Sequence, residues 1–324
     1  MKFTSIPEAY ASFREPLLYA FDTEAEAHDV EVKIINAQTQ KVIGKKMLYG
    51  VTTAQIDIAP YVRGQMQLKM PERVVQCGEV ELNQQIYVKV EVDGVSSAVR
   101  RFMAAKVDLE QAWQLLTSQL PYRTMACDEF DIISYFAYPD MVVEVVVESS
   151  GKGSERVSFS PASGGQCAVA VTAQGLGESV DGLKVTIKVD GQSVAELNYD
   201  IKPNLSGARR LVWLNEWRAP ECYTFPLRKG VLIKATRKHM ESVWGREAAA
   251  LESENELKLI SAYEPKAQIE ALGRILSSEQ LWLVEGGELQ RVNLLTDRVM
   301  PAEYGEMGMI EVDVRAAEEG VKLW

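Results

Sequence analysis

Tyr87–Phe102 (YVKVEVDGVSSAVRRF) and Lys184–Leu197 (KVTIKVDGQSVAEL) carry the same pattern almost a hundred residues apart. In the first, Val88, Val90 and Val92 alternate with Lys89 and Glu91, the period of two expected of a strand with one buried face. Asp-Gly follows in both stretches. That dipeptide accepts the positive φ of a tight hairpin turn, so each stretch reads as a strand, a turn and a returning strand.

Outward from the first stretch the alternation continues. Leu17–Phe21, Val30–Asn36, Lys41–Leu48, Thr53–Ile58, a weaker Met66–Met70, Ile86–Asp93 and the return through Ser97–Met103 make about seven strands, the number of an immunoglobulin-like sandwich. Outward from the second, the same order recurs. IISYFAY (132–138) matches LLYAF, VVEVVVES (142–149) matches VEVKIIN, RVSFS matches KKMLY, and CAVAVTA matches AQIDIAP. Five matched segments in one order indicate an internal duplication, with the long Gly64–Gln85 connection shortened in the second copy.

The expected fold is therefore mainly β: two tandem immunoglobulin-like β-sandwiches followed by a smaller α+β domain. Residues 1–105 form the first sandwich, 106–127 a helical linker, 128–206 the second sandwich and 207–324 the C-terminal domain. A chain of 324 residues suits such a division, because single cores stop growing near this size. In the linker, Asp108 and Gln111 have the form of an N-cap box, and Leu109, Trp113, Leu116 and Leu120 fall on one helical face until Pro121. In the last domain Pro265 opens a helix with a stripe of Ile269, Leu272, Ile275 and Leu276. LWLVEGGELQRVNLL reads as a hairpin turning at Gly286-Gly287, MIEVDVRAA as a final strand, and 231–265 as strands joined by a charged connection.

Composition narrows the function classes. The net charge of -11 argues against a nucleic-acid footprint over the whole protein, because such binding needs clustered positive charge. The N-terminus holds Pro7, Glu8, Arg14 and Glu15 where a secretory signal needs an apolar core, and no apolar run reaches a membrane-spanning length, so a cytoplasmic protein without a membrane partner is expected. Cys77, Cys127, Cys167 and Cys222 form no C-x-x-C pair, which favours free, mostly buried thiols and leaves any disulfide pairing open.

Signs of catalysis are absent. The chain has two histidines, His28 and His239, in acidic and basic surroundings without a local ligand or base partner, and no phosphate loop, G-x-S-x-G or H-E-x-x-H motif. Asp128, Glu129 and Asp131, and Glu252, Glu254 and Glu256, read as solvated edge charge rather than a glycosidase pair. No enzyme activity, cofactor or metal is expected.

Arg209–Gly230 (RRLVWLNEWRAPECYTFPLRKG) has the highest density of large amphipathic side chains. From Arg209 to Arg246, nine Lys or Arg stand against three Asp or Glu, a net of +6 that leaves -17 for the remainder. Trp, Tyr and Arg anchor binding patches, so Trp213, Asn215, Trp217, Arg218, Tyr223, Phe225, Arg228 and Lys229 are the candidate interaction surface. Buried strand tryptophans with solvated charges are the competing reading.

IDIAPYVRG, WQLLTSQLPYR before FDIISYFAY, and LVWLNEWRAPECYTFP together resemble tail-associated structural proteins of phages and prophages with tandem immunoglobulin-like domains. Members of that family commonly carry W-x-N-x-x-G-G before Tyr-Thr-Phe; here the glycine pair is absent, replaced around Trp217 to Ala219. The resemblance implies a particle component that presents surfaces to neighbouring protein subunits, further copies of itself among them. The alternative is a carbohydrate-binding or surface-binding sandwich in which Tyr135, Tyr138, Trp213 and Trp217 stack on sugars. Coplanar, solvent-facing rings would favour the sugar reading, and rings buried at a domain junction the structural one.

Overall fold

The computed structural model describes residues 1–177, 179–203, 207–285, 288–299 and 301–317. The chain is mainly β, 55% strand against 6% helix. Its N-terminal sandwich has a three-stranded sheet in which Leu18–Asp22 lies between Lys2–Ser5 and Thr53–Asp57. Facing it, Val42–Val51, His28–Asn36, Gln85–Val92 and Arg100–Met103 pair in that order. The alternating apolar residues meet between the sheets: Tyr19, Phe21 and Ile56 from one side, Val30, Val32, Ile34, Val88, Val90 and Val92 from the other. Each such side chain, fully withdrawn from water, contributes about 1.5–3 kcal/mol.

The next unit pairs in the same order. Phe130–Ala137 lies beside Gly165–Thr172, and facing them Arg156–Phe159, Val143–Lys152, Ser179–Val189 and Gln192–Lys202 run across the second sheet. Asp93-Gly94 and Asp190-Gly191 take the same left-handed conformations at equivalent turns, with φ of 47° and 79° in one and 50° and 81° in the other. Val145, Val147, Val169, Val171, Val185 and Ile187 fill this second core.

Two sequence expectations are corrected between the copies. Residues 106–127 hold no helix: the Asp108 carboxylate accepts from Glu110 N at 3.0 Å and from Gln111 Nε2 at 3.1 Å, making a local turn. Trp113–Leu115 then pairs with Phe130–Ala137, and Tyr122–Ala126 runs parallel to Gln192–Lys202. An exposed sheet edge offers unpaired backbone groups, and two short segments gain more by completing those ladders than a marginal helix gains alone. Met66–Met70 is likewise not a strand. The chain turns through the helix Ala59–Arg63, and the connection crosses to the second unit, where Gly78–Glu79 pairs with Val169 and Ala170.

The remaining segment forms a seven-stranded antiparallel sheet. Its order is Pro220–Phe225, Arg209–Leu214, Leu281–Glu285, Glu288–Leu294, Glu311–Ala316, Gly245–Ile260 and Leu227–Ser242. The helix Lys266–Gly273 and the 3-10 turn Arg274–Ser277 set Ile269, Leu272 and Ile275 on one face of it, against Leu211, Trp213, Phe225, Leu257 and Val312. Leu276 of the expected stripe is instead exposed. Leu281–Glu285 and Glu288–Leu294 pair as the expected hairpin; Gly286 and Gly287 lie outside the described residues. The expected charged connection after residue 231 is no loop. Leu227–Ser242 and Gly245–Ile260 are one continuous hairpin of two 16-residue strands.

Candidate functional site

The opposite face of the seven-stranded sheet is also covered. Val212, Leu214, Cys222, Trp282 and Val284 pack on Phe130, Ile132, Ala168 and Ala170 of the second sandwich, with Val74 and Leu82 of the long connection wedged alongside. Strand Arg209–Leu214 is thus buried on both sides. This explains its nearly unbroken apolar run.

Half of the candidate interaction surface lies inside the protein. Trp213, Asn215, Tyr223 and Phe225 are buried, which corrects their assignment to an outer face. Strand period places Leu211, Trp213, Tyr223 and Phe225 together on the helix side. Trp217 and Arg218 are half-buried on the connecting loop. The side chains of Arg228 and Lys229 lie outside the described residues.

Asn215 organises that loop. Its Oδ1 accepts from Trp217 N and Ala219 N, both at 3.0 Å, while its Nδ2 donates to Leu116 O and to Glu221 Oε1, again at 3.0 Å. Arg218 sits at φ 56°, a left-handed conformation that favours glycine. Its strain is offset by the Asn215 bonds, by an ion pair from Nη2 to Glu279 Oε2 at 2.9 Å, and by Gln84 Nε2, which donates to Arg218 O.

Beneath the loop lies a buried polar network. Arg123 Nη1 meets Asp131 Oδ2 at 2.7 Å, Tyr199 donates its hydroxyl to the same oxygen at 2.8 Å, and Arg210 Nη2 approaches Asp131 Oδ1 at 3.4 Å. Thr224 donates to Glu129 Oε2 at 2.6 Å and accepts from Arg210 Nη1 at 2.7 Å. Glu221 accepts from Thr117, from the Ser118 amide and hydroxyl, and from Asn215. Burial opposes ionisation of Asp131, but the two guanidiniums overcome it and hold the carboxyl below its ordinary value. Burial likewise pushes the Cys222 thiol and the Tyr223 hydroxyl up, away from reactive forms at neutral pH.

A cleft of about 430 Å³ opens onto this network, lined among others by Gln119, Arg123, Tyr199, Tyr223, Glu264 and Gln268. Burial raises the Glu264 pKa, with the Tyr223 hydroxyl donating to Oε1 at 2.8 Å. Three more of its polar walls are engaged within the protein. Gln119 donates to Cys222 O, Gln268 accepts from Leu120 N, and Arg123 is spent on Asp131, Thr117 and Leu120 O. A site built to bind holds polar groups in reserve for its ligand. These walls bind one another.

No aromatic platform for sugar is assembled from the expected residues. Tyr135 and Trp213 are buried, and Tyr10, Phe136 and Tyr138 meet edge to face at 73° to 81°. Trp217 packs beside that trio. Among the described residues no group of three His, Cys, Asp or Glu side chains could hold a metal. Four cysteines are free; Cys222 is buried, but Cys127 is exposed. His28, exposed, has a partner distant in sequence, Asp93, at 3.0 Å. No helix among the described residues is long and apolar enough to cross a membrane.

No family model matches this chain, and no curated protein matches it in sequence.

Sequence reasoning missed the partners that bury residues 209–225. Glu129 and Asp131 were readable only as edge charge, since their guanidinium and hydroxyl partners stand as far as 95 residues away.

Proposed function

We propose that the chain is a non-enzymatic structural protein of a phage-tail-like particle, built from two tandem immunoglobulin-like sandwiches and an α+β C-terminal domain. Its work is to hold neighbouring protein subunits. The observation that carries this reading is how the side chains of residues 209–225 are spent. Trp213 and Phe225 fill a core, while Arg210, Asn215 and Glu221 lock the C-terminal sheet to the second sandwich and to residues 116–118. A chain whose polar and aromatic wealth goes into fixing its own domains is suited to bearing load and presenting surfaces. Catalysis would instead require groups held out of such pairing.

The test is fractionation. In source cells induced to make particles, nuclease-resistant particles are sedimented and searched for peptides of this chain by mass spectrometry. Stoichiometric recovery with the particles supports the reading; recovery only in the soluble fraction of particle-producing cells overturns it.

A further inference from the structure

The seven-stranded sheet ends in a ribbon that leaves the body of the protein. Gly245–Ile260 pairs with Glu311–Ala316 only through residues 256–260; from 245 to 255 its one strand partner among the described residues is Leu227–Ser242. Those 11 residues, at about 3.3 Å each, carry the ribbon some 35 Å outward. At its tip Val243 and Trp244 are 95% and 87% exposed. A two-stranded ribbon is marginally stable in water unless something packs against it.

Both edges of this ribbon are open among the described residues, and they differ in charge. Leu227–Ser242 is the last strand of the sheet. Its ladder is irregular between Arg228 and Gly230 and between Lys238 and His239, which leaves a regular run from 230 to 238. That run contains Lys234, Arg237 and Lys238 and no acid. On the other strand, the nine residues from 247 to 255 contain Glu247, Glu252 and Glu254 and no base. The two open edges thus match in length and oppose in sign.

We propose that this ribbon joins copies of the chain, the basic edge (230–238) of one ribbon lying antiparallel against the acidic edge (247–255) of the next. Open backbone edges supply the hydrogen bonds, and charge supplies the choice of partner. Like edges repel, so a two-fold pairing through the same edge is disfavoured. Basic against acidic is a head-to-tail contact, which closes into a ring or continues as a stack depending on the rotation between copies. All ribbons then point the same way. The inference rests on the assembly reading above and specifies its partner as a second copy.

The test uses the full chain in sedimentation velocity across protein concentration, at low and high salt. Self-association that weakens with salt is expected. Lys234→Glu with Arg237→Glu makes both edges acidic, and Glu252→Lys with Glu254→Lys makes both basic. Each variant alone loses association at least about tenfold, and an equimolar mixture of the two regains it. Because Lys234 and Glu254 are also register partners within one ribbon, a chain carrying all four substitutions keeps its internal complementarity. It self-associates like the original and stands as the test if the single-edge variants do not fold.

A monomeric original chain at every concentration overturns the proposal. So does a mixture of folded variants that stays apart, or a folded four-substitution chain that does not associate. The two readings fail separately. Particles that incorporate a chain lacking 231–256 as well as the full chain remove the ribbon from assembly and leave the particle reading intact. Ribbon-dependent association by a chain never found in particles does the reverse.

Discussion

Arg123 and Asp131 form a buried ion pair 2.7 Å long, their side chains 5% and 0% exposed, eight residues apart on different strands. Asp131 also faces Arg210, so one carboxylate holds the second sandwich to the C-terminal sheet. Breaking a buried pair from one side leaves a charge without its counterion; here Arg123 loses its carboxylate, while Arg210 keeps Glu129 at 3.7 Å. Asp131→Asn is expected to cost about 3–5 kcal/mol. Urea unfolding would read this as a lower midpoint, and a split into two transitions would show that the carboxylate couples the domains.

Two carboxyls give opposite pH dependence. Asp131 is held below its ordinary 3.8, so its contribution to stability is complete above pH 3.8 and is lost as pH falls through its lower folded-state value. Glu264 is raised above 4.5 by burial, so its contribution is complete below pH 4.5 and is lost as pH rises through its folded-state value. Glu264→Gln keeps an acceptor for the Tyr223 hydroxyl without the charge. Its unfolding midpoint should gain on the original protein's as pH climbs above 4.5; parallel pH profiles would contradict the buried-carboxyl account.

Trp213→Ala measures whether the aromatic cluster is core. A fully buried indole is replaced by a cavity beside Leu211, Leu283 and Ile275, and a loss of about 3–5 kcal/mol is expected. Chemical denaturation decides it: a change within about 0.5 kcal/mol is what a surface position gives.

Gly151 sits at φ 121°, where the ladder between Val143–Lys152 and Ser179–Val189 is irregular. A Cβ there would strike the Ser179 carbonyl oxygen. Gly151→Ala should cost about 1–3 kcal/mol from backbone strain, with further loss from the clash. The same substitution at Gly191, whose Cβ would meet nothing within 4 Å, isolates the left-handed penalty. Equal losses at the two sites would show that the clash is absorbed.

Legible in the sequence alone were the mainly β class, the alternation that builds both cores, the two Asp-Gly turns and the matched order of segments. These rest on local rules: a period of two places Val88, Val90 and Val92 on one side whatever stands opposite. The helix Lys266–Gly273 was legible for the same reason. Tertiary structure alone decided where the competing local choices fell. Leu109, Trp113, Leu116 and Leu120 satisfy helical spacing, but the open edge of Phe130–Ala137 takes Trp113–Leu115 as a strand. Trp213 and Arg210 have the composition of a binding patch, yet the helical segment on one face of their sheet and the second sandwich on the other bury them. Whether a Trp or an Arg faces water depends on what covers it, and here the covering residues come from positions up to about a hundred removed in the chain.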